Sequence, residues 1–142
     1  MRVEDVLRHK GRGATTIRPD APCRELLAVL AERNIGAVVV SADGETVGGI
    51  VSERDVVRRL HDRGDAILDG PVSEITVWEV STCAPGDQVE QLRETMTERR
   101  IRHVPVVENG RLVGIVSIGD VVKSTIDQLE FDRQNLIDYV QS

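Results

Sequence analysis

Apolar residues recur along this chain in two rhythms, and the rhythms appear twice in the same order. Cys23, Leu26, Leu27 and Leu30 are spaced by ones, threes and fours, as on one face of a helix. Two aliphatic runs follow, Ala37-Val38-Val39-Val40 and Val47-Gly48-Gly49-Ile50-Val51, separated by Asp43-Gly44, and then Val56, Val57 and Leu60 resume helical spacing. The second half repeats this with Val89, Leu92 and Met96, with Val104 to Val107 and Leu112 to Val116 flanking Asn109-Gly110, and with Val121 and Val122. Asp-Gly and Asn-Gly accept the left-handed backbone angles that match strand twist, so each pair of runs predicts a β-hairpin. Helices are expected to start near Asp20, at Asp87 in a reciprocal cap with Glu90, and at Ser52 and Ser117.

The repetition extends to residue identity. Ala31-Glu32-Arg33-Asn34-Ile35 returns as Thr97-Glu98-Arg99-Arg100-Ile101, and Thr16-Ile17-Arg18-Pro19-Asp20 aligns with Thr82-Cys83-Ala84-Pro85-Gly86 in the same register. Gly49-Ile50-Val51-Ser52-Glu53-Arg54-Asp55 answers Gly114-Ile115-Val116-Ser117-Ile118-Gly119-Asp120 at an offset shorter by one residue, which a turn absorbs. Each unit reads strand, helix, strand, strand, helix, an α/β arrangement spanning residues 1–66 and 67–126, with a helical extension over 127–142. A unit of about 60 residues buries too little surface to stand comfortably alone. The two are therefore expected to pack with pseudo-two-fold symmetry and to leave a cleft along the seam.

Composition narrows the chemistry. A net charge of −6 opposes binding to nucleic acid or an anionic membrane through bulk electrostatics, and Trp78, Phe131 and Tyr139 are too few to form a base-stacking platform. No apolar run nears the roughly 18 residues of a membrane span. Cys23 and Cys83 form no metal-type spacing, and no signal-peptide pattern opens the chain, so a reducing cytoplasm is the expectation. His9, His61 and His103 make no metal-spaced pair, and there is no nucleophile elbow or P-loop, so catalysis is not expected and Cys83 reads as a packed strand residue.

Each second run ends in Gly-Ile-Val-Ser-x-x-Asp and enters a helix directly. The doubled motif and the order of elements resemble the CBS domain, and two in tandem are similar to a Bateman module, from Val3-Glu4-Asp5-Val6-Leu7 through Val122. The chain departs from the pattern at Val72-Ser73-Glu74-Ile75-Thr76, which lacks a Met-Thr pair, and in three extra residues near Lys10 to Gly13. The resemblance implies a regulatory module binding AMP, ADP, ATP, NAD or S-adenosylmethionine between the repeats, with no cofactor required.

Ser52 with Asp55, and Ser117 with Asp120, stand at helix mouths where free amides and the positive dipole end favour an anion. The same spacing also makes a capping box that only stabilises a helix. By resemblance the serines meet phosphate and the aspartates take ribose hydroxyls, as suits an acceptor-only carboxylate. Arg54 and Arg58, one turn apart, could pair with phosphate oxygens, and Arg102 and His103 precede the second hairpin. By the same resemblance, backbone at Thr16, Ile17, Ala37, Val38, Thr82, Cys83, Val104 and Pro105 lines an adenine slot. Ile118-Gly119 replaces Glu53-Arg54 in the second copy, so the two sites should differ, with the arginine-bearing one better suited to phosphate. The expected assembly is a homodimer acting on a protein partner whose identity is open. The alternative is a ligand-free interaction scaffold.

Overall fold

The computed structural model describes all 142 residues. The chain runs α1 (Val3–Lys10), β1 (Thr16–Ile17), α2 (Cys23–Arg33), β2 (Ala37–Val40), β3 (Gly49–Ser52), α3 (Glu53–Arg63), two short 3-10 turns, α4 (Val89–Arg99), β4 (His103–Glu108), β5 (Arg111–Ser117) and α5 (Ile118–Gln141). In the first repeat β1 pairs parallel with β2, and β2 antiparallel with β3, so that Val38 faces Val51 and Val40 faces Gly49. In the second, β4 and β5 pair antiparallel with an irregularity between Val106 and Val107. The counterpart of β1 shrinks there to one parallel bridge, Cys83 to Val106. The architecture is two tandem α/β repeats and a C-terminal helix, as the doubled rhythm predicts.

Three local expectations are corrected. Asn109 and Gly110, at φ 53° and 77°, close the two-residue turn between β4 and β5. Asp43-Gly44 instead lies inside an open loop, because β2 ends at Val40 and β3 begins only at Gly49. That loop is organised by the Asp43 carboxylate, which accepts from the amides of Glu45 and Thr46 and from the Ser41 hydroxyl. These bonds hold its carboxyl well below the usual range. Asp87 does not cap α4 either: its carboxylate accepts the Ala84 amide in the preceding turn, and the N-cap is Gln88. Likewise α2 begins after Pro22, not near Asp20, whose carboxylate takes the Arg18 guanidinium. Short polar side chains prefer whichever backbone donors are nearest, and here those belong to turns.

Two cores form. Ile17, Leu26, Leu30, Val38, Val40, Val51 and Val56 pack with Ile67, Val72 and Ile75; Leu92, Met96, Val104, Val106, Val116 and Val121 pack with Val3, Val6 and Leu7. Each fully buried aliphatic side chain contributes about 1.5–3 kcal/mol. The two lead-in segments, at 3–7 and 72–76, thus each cross to the other repeat. Their hydrogen bonds match: Val3 N and Glu4 N donate to Asp87 O and Pro85 O, as Val72 N and Ser73 N donate to Ala21 O and Pro19 O. By packing, α1 therefore belongs with the second repeat although it precedes the first. The crossing continues in antiparallel contact between Ile50 and Val77 and parallel contact between Gly114 and Gly13, which ties the repeats along their seam. No break marks residue 126, because α5 passes through it unbroken.

Candidate functional site

β3 and β5 each deliver their last residue, Ser52 or Ser117, as the N-cap of the next helix, and both Ser-x-x-Asp motifs form capping boxes. Asp55 Oδ2 accepts from the Ser52 amide at 2.8 Å and from its hydroxyl at 2.9 Å, while the Asp55 amide donates back to Ser52 Oγ at 3.3 Å. The Glu53 amide donates to Gly36 O at 3.0 Å. Two of the first three amides of α3 are thereby used inside the protein, as is the Ser52 hydroxyl. The helix mouth alone therefore offers an anion less than its spacing suggests. The Asp55 carboxylate keeps one oxygen without a partner.

Around that oxygen lies a cleft of about 400 Å3. The first repeat contributes Gly36, Ala37, Ile50, Ser52, Glu53, Arg54, Asp55 and Arg58 to it. The crossing segment contributes Val77, Glu79, Val80 and Ser81, and the second repeat Arg100, Ile101, Arg102, His103 and Ile118. Arg54, Arg58, Arg100 and Arg102 are exposed, and none makes a side-chain hydrogen bond or ion pair. Four free guanidinium groups thus converge on one carboxylate-bearing cleft. Arg100 also sits in the left-handed region at φ 54°, where its counterpart in the first repeat is Asn34 at φ 51°. Asparagine adopts that conformation readily, whereas another residue pays about 1 kcal/mol.

The second copy is built differently. Asp120 Oδ2 accepts from the Ser117 amide at 2.9 Å and from Lys10 Nζ at 2.7 Å, and the same ammonium donates to Ile115 O at 2.9 Å. Burial pushes the Asp120 carboxyl up, but Lys10 and the Ser117 donors outweigh it and hold the group below its ordinary value. Lys10, from the end of α1, thus occupies the Asp120 carboxylate, where the first copy leaves Asp55 facing the cleft.

Of the residues singled out from sequence, Ala37, Ser52, Arg54, Asp55, Arg58, Arg102 and His103 line the first cleft, while Ser117 and Asp120 lie beside Lys10. Ile17, Val38 and Val104 are core side chains, Pro105 is buried in β4, and Thr16 belongs to β1, with none of them lining the cleft. Thr82 and Cys83 lie just past its edge at Ser81. Burial, assisted by Asp87, pushes the Cys83 thiol up to about 12, which favours the protonated thiol. Sequence reasoning missed Arg100 and the crossing stretch of Val77 and Glu79 to Ser81, along with Gly36, Ile50, Glu53, Ile101 and Ile118. The first was detectable as the odd residue at a repeated αL position; the second depends on the crossing of the lead-in segment.

His103 occupies the seam. Its imidazole packs against Gly36, where an added Cβ would lie 3.3 Å from the ring. Burial holds its pKa below the ordinary value; Lys10 and Arg102 act in the same sense, against Asp120 and Glu53. No cluster of side chains is arranged to hold a metal ion, and no helix is long and apolar enough to cross a membrane.

Comparison with known proteins agrees with this geometry. The family model for the CBS domain matches residues 3–62 and 72–127. A CBS-domain protein from Agrobacterium tumefaciens is 47% identical, with a TM-score of 0.84 over 88% of this chain and 99% of its own. One from Pyrobaculum aerophilum, solved in complex with AMP, is 35% identical, with a TM-score of 0.75 over 84% of this chain and 89% of its own. The mitochondrial CBS domain-containing protein CBSX3 of Arabidopsis thaliana is 31% identical over 98% of this chain and 71% of its own length. With two matched repeats that exchange lead-in segments and end in capped Ser-x-x-Asp motifs, the chain belongs to the CBS domain family as a tandem pair.

Proposed function

We propose that this protein is a regulatory sensor that binds one phosphate-bearing adenosine nucleotide in the cleft at Asp55. The observation that carries this reading is a cleft lined by four arginines without side-chain partners, against Glu53, Glu79 and an Asp55 carboxylate that keeps one oxygen free. A volume of about 400 Å3 suits a small molecule, for which sites run to about 300–1,000 Å3. The Asp55 carboxylate can accept from ribose hydroxyls while guanidinium groups chelate phosphate. That charge balance favours AMP, ADP, ATP or NAD over S-adenosylmethionine, which lacks phosphate and carries a sulfonium cation. The AMP complex of the Pyrobaculum relative supports the ligand class. Because cleft residues come from both repeats, a bound nucleotide would favour one relative placement of them, and a protein partner that distinguishes the placements would feel it. In this reading the protein works as a homodimer and performs no chemistry on its ligand.

The test is isothermal titration of the full chain with AMP, ADP, ATP, NAD and S-adenosylmethionine. At least one phosphate-bearing nucleotide should saturate near one per chain. Asp55→Ala should weaken it about tenfold or more, as the loss of a charged hydrogen-bond acceptor does, while Asp120→Ala leaves it nearly unchanged. Flat traces for all five ligands would leave the scaffold reading in its place.

A further inference from the structure

The last 15 residues of α5 pack against almost nothing. From Asp127 to Gln141 every residue but Ile137 is exposed, including Leu129 at 63%, Phe131, Leu136 at 67%, Tyr139 and Val140 at 81%. Helices in water draw most of their stability from a buried apolar face, and an isolated stretch of this length is marginal. Five apolar positions share one stripe, while Phe131, Ile137 and Tyr139 lie outside it. Val122, Ile126, Leu129, Leu136 and Val140, with Arg133 at the one polar step, follow strictly alternating intervals of four and three residues along one helix. This 3.5-residue period is the seam of a left-handed coiled coil, narrower than the face a helix turns to a globular core.

The residue types within the seam identify its occupant. In this register Ile126, Arg133 and Val140 take one heptad position, a, and Val122, Leu129 and Leu136 the other, d. β-branched residues at a with leucine at d favour two parallel strands, and a single charged a position further sets register and strand number. Sorting by position matters only where a meets a and d meets d, which is the parallel case. An antiparallel pair sets a against d and mixes the two kinds. Arg133 is flanked by Glu130 and Asp132 at the e and g edges, so carboxylates border the layer where two guanidinium groups would meet.

We infer that α5 pairs in parallel with α5 of a second copy of this chain, through Ile126, Leu129, Arg133, Leu136 and Val140. This specifies the seam of the homodimer in the functional reading above and rests on that part of it. It sets the two globular bodies at the same end of the coil, related by a two-fold along its axis.

Light scattering after size exclusion at tens of micromolar should give a dimer for the full chain and a monomer for the double variant Leu129→Glu/Leu136→Glu. Both positions are exposed in the single chain, so circular dichroism should still report a folded body. Val140→Cys should form a covalent dimer under mild oxidation, with the unaltered chain as control for Cys23 and Cys83, because parallel strands bring position 140 beside its own copy. A wild-type monomer would overturn both the seam and the homodimer. A dimer that survives the double variant would overturn the seam alone, and a dimer that needs the seam but fails to cross-link at 140 would overturn its parallel sense. Nucleotide titration of the double variant reads the sensor proposal separately.

Discussion

Asp55 and Asp120 occupy the same place in a repeated motif, yet one faces free arginines and the other faces Lys10. The difference lies in α1, which carries Lys10 across the seam and onto Ile115 O and Asp120. Lys10→Met removes the ammonium from that copy. It should raise the nucleotide bound per chain from one toward two, read as stoichiometry by titration calorimetry. The same variant has a signature in acid. Asp120 has a lowered folded pKa, so its stabilisation is complete above the unfolded carboxylate value of 3.8 and fades as pH falls through the folded value. The pair is partly exposed, which limits its worth to about 0.5–1 kcal/mol. Denaturant unfolding at pH 3 and pH 6 should show a smaller difference in Lys10→Met than in the parent.

At the level of elements, β3 and β5 are the rails on which the lead-in segments cross, and each carries a glycine at the crossing. A Cβ on Gly49 would collide with the Thr76 methyl and come 2.8 Å from Val77 O and 3.1 Å from the Trp78 ring. On Gly114 its nearest neighbour would be the Leu7 side chain, at 2.7 Å, a buried methyl that can still give more readily than backbone. Backbone does not yield as a side-chain methyl does. Gly49→Ala should therefore cost about 2–3 kcal/mol, at the upper end for overpacking, and Gly114→Ala clearly less. Chemical denaturation midpoints of the two variants, compared at constant slope, check the order. The helices divide differently: α3 stops at Gly64, whereas α5 runs on for 24 residues and presents a seam that its own chain does not fill.

For the whole molecule the seam between repeats is where the crossing segments and the cleft meet, and His103 is a half-buried titratable group within it. Its pKa is depressed by burial first, then by Lys10, so the unfolded chain takes up the proton at a higher pH than the fold does. The sign follows: stability is full above the ordinary histidine value of 6.5 and is lost as pH falls through the folded value. Thermal midpoints should drop between pH 7.5 and pH 6, by about 2–4 °C for each kcal/mol withdrawn. His103→Gln should flatten that slope without lowering the midpoint at pH 7.5 by a comparable amount. An unchanged slope would remove His103 from any account of how the seam responds to pH. The cleft proposed to bind nucleotide lies on this same seam, since Arg100, Arg102 and His103 complete it from across.

Much of this protein could be read before any coordinates. Periodicity and the shared offset were enough for two α/β repeats, because alternating burial in a strand and three-to-four spacing in a helix are local consequences of backbone geometry. Ser52, Asp55, Arg54 and Arg58 were legible for the same reason, since the motif is contiguous and its helix starts where its own serine caps it. The Asp43-Gly44 loop misled because the Asp43 carboxylate satisfies an open turn as well as a tight one would. Lys10 at Asp120, Arg100, Val77 and Glu79 to Ser81 in the cleft, and the exchange of lead-in segments are contacts between residues far apart in the chain. A local rhythm determines which faces are buried; which distant segment covers them is decided only when the repeats pack, and that packing left one of two similar motifs on an open cleft and set a lysine against the other.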